Sequence, residues 1–473
     1  MASNRGPVTF IEENGALVPR RGAGGLVTAL TDALAASGGR WVAAAMTDLD
    51  RRRSEEAPDG RLDVVVDDLK LQIRMLAFAP DTYERFYNTV SNRLLWFLHH
   101  YLWDIARWPR FGAESRRSWA AFREVNRSFA EALADEAGDR EADVLVQDYH
   151  LSTVPAELRV LAPKARIAHF HHCPFAGPDY LRLVPSWIRT ELLEGLLGAD
   201  LLGFQTRAWA ESFLFGCRHL DGARVDPRRR LVTWQGRKVR AGVFPISIDA
   251  VALQELASSP AVKKKQRQLS DWLGERRLLF RADRAELSKN VLRGFLAYEE
   301  FLDRYPKWRG KVVFLAHLQP SRRALPEYQT YTNECLRAVE RINEKLGGGD
   351  WRPIEVDLVD DYEKVLAAHQ LYDVLLVNPV FDGMNLVAKE GALLNRNGGV
   401  LLLSKTAGAF AELGRGVVPL DPLDVGGTAE AIEYALAMPA EERARRTRVL
   451  RREAARTTPA EWVERQLAAL SVT

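Results

Sequence analysis

Residues 374–390, VLLVNPVFDGMNLVAKE, contain the pattern that decides the fold. Val374 to Val377 is a short apolar run, typical of a strand buried on both faces of a parallel sheet. The segment that follows predicts a helix, because Gly383 permits a sharp turn and Asn385 is a preferred N-cap. A strand that passes through a tight turn into a helix is the repeating unit of an α/β domain.

The same segment supplies candidate ligand-binding residues. The free amides of Leu386 and Val387, at the start of the predicted helix, would face a bound phosphate. Glu390 lies one turn further on and can accept hydrogen bonds from ribose hydroxyls. Asp382 precedes the turn, where it can hold ring hydroxyls of a transferred group. A purely structural helix start does not require this combination, so we interpret it as a donor-binding site.

Short apolar runs alternate with amphipathic segments along the whole chain. Further buried strands are predicted at 144–146, 167–170, 201–204, 278–280, 312–315 and 400–403. Helices are predicted at 25–36, 83–102, 206–220, 290–304 and 458–470. This alternation predicts an α/β fold whose parallel sheets are covered by helices on both faces.

Composition excludes several classes of protein. The 473 residues suggest two or three domains, and 66 basic against 63 acidic residues are too balanced to indicate nucleic-acid binding. Three widely spaced cysteines argue against a disulfide framework or a cysteine zinc cluster and favour the cytoplasm. No apolar run approaches the ~20 residues of a membrane span. The N-terminal segment lacks the regions of a secretory signal.

A domain boundary is predicted at residues 244–249, FPISID. This segment follows an apparent hairpin at 231–243 and precedes a polar region that contains Lys263 to Lys265. Near the N terminus, only Met1-Ala2 precedes Ser3-Asn4-Arg5, where a first strand is expected. That strand is therefore either very short or incomplete in this numbering.

Two cations lie on a predicted strand-to-helix loop. Arg284 and Lys289 can neutralise a leaving diphosphate, and charge stabilisation of this kind is often the largest catalytic contribution. A solvated loop is the alternative interpretation. The glycine-rich turn at 21–26, which includes Gly25, also suits the close approach of a phosphate. It matches no standard nucleotide motif, and an ordinary tight turn explains it equally well.

Asp148 and His172 lie near the ends of two predicted strands. The run HFHHC at 169–173 invites a zinc interpretation, which we reject. Alternation along a strand places His171 and His172 on opposite faces, and no second ligand pair has suitable spacing. We predict hydrogen bonding in a cleft for His172, and either a cleft or a capping role for Asp148.

Arg5, Tyr87, Trp96 and Arg322 lie near element ends or aromatic patches. The two arginines suit a phosphate, because guanidinium binds phosphate in bidentate fashion. Spacing alone does not show that these four residues meet. The acidic pair in 48–50 lies beside three arginines and is predicted to be an exposed loop.

Together these segments resemble the trehalose-6-phosphate synthase family over nearly the whole chain. The matching pieces are Ser3-Asn4-Arg5, Gly24-Gly25-Leu26, Tyr87-Asn88, Ser91-Asn92, Leu95-Trp96, Asp148 to Leu151, His172 to Phe175, Leu202 to Thr206, Arg284, Ser288-Lys289, Pro320 to Arg322 and Asp382 to Glu390. The resemblance implies a GT-B type α/β fold with two Rossmann-like domains facing each other across a cleft. It implies an acceptor-binding domain at 1–245, a nucleotide-donor domain at 246–455, and a segment at 456–473 whose helix crosses back to the first domain.

The family also implies a retaining, metal-independent glycosyl transfer that needs no cofactor. Its substrates would be a nucleotide-activated donor and a phosphorylated acceptor. Carried over by position, the catalytic residues would be Asp148, His172, Arg284, Lys289 and Asp382. The donor would be bound by Gly25, Arg284, Lys289, Asp382, Asn385, Leu386, Val387 and Glu390. The acceptor phosphate would be bound by Arg5, Tyr87, Trp96 and Arg322.

Several positions depart from the family pattern. Ala44 stands where the family usually has tryptophan, Phe381 where it has arginine, and Ser247 where it has glycine. Ala285-Glu286-Leu287 replaces Leu-Asp-Tyr. The phosphate-binding cations are retained while both ring pockets change, which favours the family's pseudo-glycosyltransferase branch. That branch implies GDP-valienol as a nucleotide-cyclitol donor, joined to validamine 7-phosphate through a C–N bond with retention and release of GDP.

Two alternatives stay open. One is trehalose-6-phosphate synthesis from nucleotide-glucose and glucose 6-phosphate. The other is a catalytically silent sensor of sugar phosphates, against which the retained Arg284, Lys289, Asp382 and Glu390 argue. No nucleic-acid or membrane partner is expected, since short basic runs such as Arg228 to Arg230 are usually solvated. The sequence leaves open the donor base (GDP, UDP or ADP) and the oligomeric state, and a homodimer is compatible with the resemblance.

Overall fold

The computed structural model describes residues 1–22, 30–31, 34 and 38–472, and it divides the chain into two units. The first unit comprises residues 1–246 and 459–473, and the second comprises residues 247–458. The predicted boundaries at 245 and 455 lie within a few residues of these limits. The assignment of acceptor binding to one domain and donor binding to the other stays a prediction.

The first unit is built on a ten-stranded sheet. The strands of the whole unit, including two outside this sheet, are β1 (Ala2–Ser3), β2 (Val8–Glu13), β3 (Ala16–Arg21), β4 (Arg40–Ala44), β5 (Arg61–Val66), β6 (Leu69–Leu76), β7 (Asp143–Gln147), β8 (Arg166–His171), β9 (Leu201–Phe204), β10 (Arg224–Asp226), β11 (Leu231–Trp234) and β12 (Arg237–Val243). The sheet order is β10-β11-β12-β9-β8-β7-β1-β4-β6-β5, and β2 and β3 form a separate hairpin. The central strands are parallel, as predicted, and the very short first strand β1 pairs with β4 and β7.

Helices join these strands. They are α1 (Asp48–Glu55), α2 (Pro80–Glu84), α3 (Trp96–His99), α4 (Ala113–Ala137), α5 (Val154–Leu161), α6 (Pro178–Leu181), α7 (Ser186–Leu197) and α8 (Arg207–Cys217). The helix predicted at 83–102 is interrupted, because Arg85–Leu95 between α2 and α3 is a π-helix. The Ser91 hydroxyl donates to the carbonyl oxygen of Phe86, five residues earlier, at 2.8 Å. Such wide turns often mark functional segments, and Tyr87 lies within this one.

The acidic pair at 48–50 was predicted to be an exposed loop. Asp48 is exposed as predicted, but the segment begins a helix and the prediction is wrong for Asp50. Asp50 is buried within the first turn of α1, where its carboxylate accepts a hydrogen bond from the Phe10 amide at 2.7 Å. Thr47 and Asp50 also form a reciprocal capping box, with bonds of 3.0 Å in both directions. The charged residues around Asp50 therefore form a helix start and not a loop. The bond from Phe10 to Asp50 attaches the β2–β3 hairpin to this helix.

The second unit contains a fully parallel six-stranded sheet of order β15-β14-β13-β16-β17-β18. Its strands are β13 (Arg277–Arg284), β14 (Val312–Gln319), β15 (Ile354–Asp357), β16 (Val374–Val377), β17 (Val400–Ser404) and β18 (Val418–Leu420). Its helices are α9 (Ala250–Ala257), α10 (Pro260–Leu273), α11 (Val291–Arg304), α12 (Pro326–Leu346), α13 (Tyr362–Leu371), α14 (Leu386–Leu394), α15 (Phe410–Leu413), α16 (Val425–Ala437) and α17 (Ala440–Ala454). Every strand predicted in this unit is confirmed.

The last helix, α18 (Pro459–Leu470), belongs to the first unit. Trp462 on this helix is fully buried, and its ring lies 4.8 Å from the ring of Phe170 and 5.7 Å from that of His172. Its indole N–H donates to the carbonyl oxygen of Phe244 at 2.9 Å. The helix is therefore held by both packing and a buried hydrogen bond.

Trp462→Ala is expected to destabilise the first unit by about 3–5 kcal/mol, because it empties a large buried site. Urea unfolding followed by fluorescence or circular dichroism measures this change. Glu464→Ala, on the exposed face of the same helix, is the matched control and should change the unfolding free energy by less than about 0.5 kcal/mol. Equal effects of the two substitutions would contradict the docking of α18 through Trp462.

Candidate active site

The structure brings predicted donor residues together at the carboxyl ends of β13 and β16, which are neighbours in the second sheet. The Nζ atom of Lys289 donates to Oδ2 of Asp382 at 2.6 Å, and Nδ2 of Asn385 donates to the same oxygen at 3.0 Å. Burial opposes the charged form of Lys289, but the carboxylates of Asp382 and Asp283 outweigh it and raise the pKa of the ammonium. Lys289 is therefore a fixed cation at the edge of the sheet.

The predicted N-cap of α14 is confirmed. Asn385 has a left-handed backbone, with φ of 80°, and its Oδ1 accepts a hydrogen bond from the Ala388 amide at 3.0 Å. The first amides of α14, those of Leu386 and Val387, have no acceptor within the helix itself. Because a helix N terminus carries a partial positive charge, this end suits a phosphate.

The loop before α14 is held by a second loop. The Gly408 amide donates to the carbonyl oxygen of Asp382 at 3.1 Å, and the Ala409 amide donates to that of Met384 at 2.6 Å. The two loops approach so closely that a Cβ atom on Gly408 would overlap the carbonyl oxygen of Gly383. Asp382 is thus positioned by backbone contacts on both sides.

Arg284 and Arg322 share a buried carboxylate. Oε1 of Glu286 lies 3.1 Å from Nη1 of Arg284 and 2.8 Å from Nη1 of Arg322, and it accepts a hydrogen bond from the Ser321 hydroxyl at 2.8 Å. Burial opposes ionisation of Glu286, but the charges of Arg284, Arg322 and Lys289 overcome it and lower the pKa to about 2. Glu286 is therefore an internal counter-ion for two predicted phosphate-binding arginines. Arg322 also reaches the hydroxyl of Tyr328 at 3.1 Å.

Glu390 lies one turn into α14, on a partly buried part of the helix. Burial raises the pKa of its carboxyl from the ordinary 4.5 to about 7. Between pH 4.5 and about 7, the folded protein therefore holds this proton more tightly than the unfolded chain would. A ligand that donates hydroxyl hydrogen bonds to this carboxylate would favour its ionised form.

Nucleotide binding is therefore expected to weaken about tenfold between pH 8 and pH 6, since a carboxyl with a pKa near 7 must lose its proton to accept ribose hydroxyls. Titration calorimetry with a nucleoside diphosphate at each pH measures the affinity. Glu390→Gln is the control, because it keeps any pH dependence that belongs to the nucleotide phosphates. A pH dependence equal in both proteins would refute the role of Glu390.

The same pKa shift has a consequence for stability. Between pH 4.5 and about 7 the folded state binds more protons at Glu390 than the unfolded state, so its contribution to stability decreases as the pH rises. Glu390→Gln should therefore unfold at a higher urea concentration than the parent protein at pH 8, and the difference should shrink at pH 5.

Asp148 and His172 are neighbours in the first unit. Asp148 follows β7 with a left-handed φ of 72°, and its Oδ1 accepts a hydrogen bond from the His172 amide at 3.2 Å. Positive φ in a non-glycine residue is uncommon and is concentrated at functional sites. The second carboxylate oxygen of Asp148 lies 3.7 Å from Nδ1 of His150. Asp148 thus joins the ends of β7 and β8.

Aromatic rings extend this cluster towards the N terminus. Tyr87 stacks on His150 at 5.9 Å and on Tyr83 at 5.6 Å, and the Tyr83 hydroxyl donates to Oδ1 of Asn4 at 3.2 Å. The next residue, Arg5, is exposed and acts electrostatically on Tyr83. The structure therefore brings Arg5, Tyr87 and Asp148 into one connected group.

The remaining predicted residues are Trp96, Arg322 and Gly25. Trp96 is buried, with its ring 5.8 Å from that of Tyr149 and 3.8 Å from that of His100. Arg322 belongs to the second unit. Gly25 and most of the predicted helix 25–36 lie outside the described residues.

Among residues 1–22, 30–31, 34 and 38–472, no group of three or more His, Cys, Asp or Glu side chains is arranged to hold a metal ion. In the histidine run that invited a zinc interpretation, His169 and His171 are buried and His172 is partly buried. His171 packs 4.6 Å from His99 and 5.1 Å from Phe175, while His172 points to Gln147. The two rings thus face different neighbours, as strand alternation predicts. Within the described part of the chain, no helix is both long and apolar enough to cross a membrane.

The family model for glycosyltransferase family 20 matches residues 1–472. This chain belongs to glycosyltransferase family 20. A trehalose-6-phosphate synthase of Mycobacterium avium is 35% identical over 97% of this chain and 92% of its own length. A bifunctional trehalose-6-phosphate synthase/phosphatase of Thermoproteus tenax is 36% identical over 95% of this chain, which spans only 60% of that longer protein.

Solved structures of similar proteins show the same fold. A UDP-forming trehalose-phosphate synthase from Burkholderia vietnamiensis superposes with a TM-score of 0.84 at 31% identity, covering 96% of this chain and 98% of that one. An E. coli protein bound with UDP-2-fluoro glucose gives 0.86 at 30% identity, covering 100% and 98%. The predicted GT-B fold class is confirmed, and this family 20 member is a transferase.

The sequence analysis did not find the role of Glu286, the buried carboxylate that pairs with both Arg284 and Arg322. Glu286 was noted as a departure from the family pattern, and no role was predicted for it. The sequence contains one clue to this role, because Glu286 lies between two predicted phosphate-binding cations, Arg284 and Lys289. Its second partner, Arg322, follows 36 residues later and cannot be found from local pattern.

Proposed function

We propose that this family 20 member is a trehalose-6-phosphate synthase that transfers a glucosyl group, with retention, from a nucleoside diphosphate-glucose to glucose 6-phosphate. The observation that carries the proposal is the convergence of Lys289, Arg284 and the start of α14 at one edge of the second sheet. Lys289 is bonded to Asp382 at 2.6 Å, and the charge of Arg284 acts on it. The relatives described above bear the same activity in their names.

In the proposed reaction, Arg284 and Lys289 hold the donor diphosphate. They neutralise the negative charge that develops as the bond between the sugar C1 and the phosphate oxygen breaks. The amides of Leu386 and Val387 add a partial positive charge at the same phosphate groups. Glu390 accepts hydrogen bonds from the ribose, and Asp382, already oriented by Lys289 and Asn385, accepts them from the donor ring.

Arg5 and Tyr87 of the first unit bind the acceptor phosphate in this proposal, and the assignments of Trp96 and Arg322 stay predictions. Asp148 contacts the acceptor near its reacting hydroxyl, and His172 contacts the donor ring. The hydroxyl oxygen bonds to C1 from the face that the diphosphate leaves, so the configuration is retained. Its proton passes to the leaving phosphate oxygen. No side chain has to form a covalent intermediate.

The pseudo-glycosyltransferase prediction is the second candidate, namely a validoxylamine A 7′-phosphate synthase that forms a C–N bond. The relatives and structures described above give it no support. The observation in its favour is Ala44, a buried residue at the end of β4 whose amide donates to the Asn4 carbonyl oxygen at 3.1 Å, next to Arg5. The side chain at this position is much smaller than the tryptophan that the family usually has there.

A product assay separates the candidates. UDP-, GDP- and ADP-glucose are each incubated with glucose 6-phosphate, beside GDP-valienol with validamine 7-phosphate, and the products are identified by mass. Lys289→Ala protein is the matched control for contaminating activity. Trehalose 6-phosphate from a glucose donor supports the proposal. A pseudo-disaccharide phosphate from the cyclitol mixture alone overturns it in favour of the second candidate, and no product from any mixture indicates a silent relative.

A further inference from the structure

A chain of hydrogen bonds links the ring of His172 to the backbone of Ile246, the last residue of the first segment (1–246) of the first unit. Nε2 of His172 lies 2.9 Å from Oε1 of Gln147, and Nδ1 lies 3.4 Å from Nε2 of Gln205. Oε1 of Gln205 in turn accepts a hydrogen bond from the Ile246 amide at 2.9 Å. Gln147 and Gln205 are both buried.

The direction of each hydrogen bond in this chain follows from the Ile246 amide at its end. The Ile246 N–H can only donate, so the Gln205 atom that faces it must be the carbonyl oxygen. The other end of the Gln205 amide is then the NH₂ group, which can only donate. Nδ1 of His172 must therefore accept and carries no proton. The ring proton lies on Nε2 and is donated to the carbonyl oxygen of Gln147.

The surroundings of the ring keep it neutral and fixed. Burial, with a smaller contribution from His169, lowers the pKa of His172 to about 3. The imidazole therefore has a single proton at neutral pH, and its position is a choice between two tautomers. The rings of Phe170 at 4.5 Å and Trp462 at 5.7 Å confine the imidazole plane.

We propose that Gln205 is a positioning residue that fixes His172 in the Nε2–H tautomer. The ring then presents a ligand with a hydrogen-bond donor at Nε2 and with no free acceptor. The consequence for catalysis rests on the proposed function: the donor ring must offer a hydroxyl oxygen as acceptor, which replaces the carbonyl oxygen of Gln147. Gln205 thus ensures that His172 binds a hydroxyl of the donor ring as a hydrogen-bond donor and not as an acceptor.

The tautomer is tested without any substrate. Histidine labelled with ¹⁵N gives two-bond proton–nitrogen correlations that identify the protonated ring nitrogen, and the His172→Gln spectrum assigns the signal among the nine histidines. We expect Nε2–H in the parent protein from pH 6 to pH 8. In Gln205→Glu the carboxylate can only accept, so a proton should appear on Nδ1. Nδ1–H in the parent protein, or an unchanged Nε2–H tautomer in Gln205→Glu, would overturn the proposal.

Kinetics test the consequence for the reaction. Gln205→Leu removes the hydrogen bond to Nδ1 while keeping a similar volume, and it should lower kcat/KM about tenfold. The dissociation constant of a nucleoside diphosphate should not change, because Arg284 and Lys289 belong to the other unit. If Gln205→Glu does not fold, Gln205→Leu supplies both measurements, with both tautomers of His172 then expected. Unchanged kcat/KM with altered tautomers would overturn the positioning role. Absence of transfer by the parent protein would overturn the proposed function and leave the tautomer result valid.

Discussion

Replacing Lys289 by alanine is expected to lower turnover by about 10³-fold, the upper range for loss of one electrostatic stabiliser. Under the proposed mechanism the variant lacks the cation that neutralises the leaving diphosphate, and Asp382 loses the 2.6 Å contact with Lys289 that orients it. The Asn385 side-chain amide would still donate to Asp382 at 3.0 Å. Steady-state kinetics with the substrates identified in the product assay measure the effect.

Lys405→Ala is the matched control. Lys405 lies in the same unit and pairs with Asp421 at 2.8 Å, but both side chains are largely exposed. Exposed ion pairs contribute little, so this variant should retain its activity and stability. Turnover of Lys289→Ala within tenfold of the parent protein would contradict a role for Lys289 at the leaving group. Arg284→Ala should show a similar loss, and the double variant should lose less than the product of the two single effects.

Gly408→Ala should cause the second large effect, a loss of about 10²-fold in kcat/KM from misplacement of the donor loop. The added Cβ atom would overlap the carbonyl oxygen of Gly383 and lie 2.9 Å from Cα of Met384. These are backbone atoms, so no side-chain rotation can relieve the overlap. The loop must shift, and Asp382 and the start of α14 shift with it.

Gly348→Ala is the control for a glycine substitution in the same unit. A Cβ atom on Gly348 would have no neighbour within 4 Å, and its backbone does not require a positive φ. Thermal unfolding and nucleotide affinity are measured for both variants. Gly408→Ala should be destabilised by about 1–3 kcal/mol and bind nucleotide more weakly, while Gly348→Ala should resemble the parent protein. Equal nucleotide affinity in the two variants would show that the loop tolerates the displacement.

The sequence predicted central strands of both sheets because fully buried parallel strands are continuous apolar runs, as at 374–377. It did not predict β4, β5, β6, β15 or β18. It predicted the N-cap at Asn385 because capping depends on neighbouring residues only. The helix at 83–102 was predicted as one element, since apolar periodicity does not reveal the wider turns of 85–95. Asp50 was misplaced because its partner amide belongs to Phe10, 40 residues earlier.

The candidate site follows the same rule. Arg284, Lys289 and Asp382 were found because each follows a predicted strand, and strand ends of a parallel sheet lie at one edge. The shared carboxylate of Glu286 was missed because Arg322 reaches it from the end of another strand. The polarity of the His172 ring depends on Gln205 and Ile246, and only coordinates reveal that chain. Local pattern thus found the charged residues, and long-range contacts determine how they are held.

The order of the units along the chain has a consequence for biosynthesis. The second unit is inserted into the first, because the chain leaves the first unit after residue 246 and returns to it at residue 459. The ribosome therefore synthesises the whole second unit before it reaches α18, which carries Trp462. The unit that is translated first must wait for about 200 residues before its core is complete, some 10–40 s at ordinary elongation rates. During that interval Phe170 lacks its ring contact with Trp462, and the Phe244 carbonyl oxygen lacks the hydrogen bond that the indole donates.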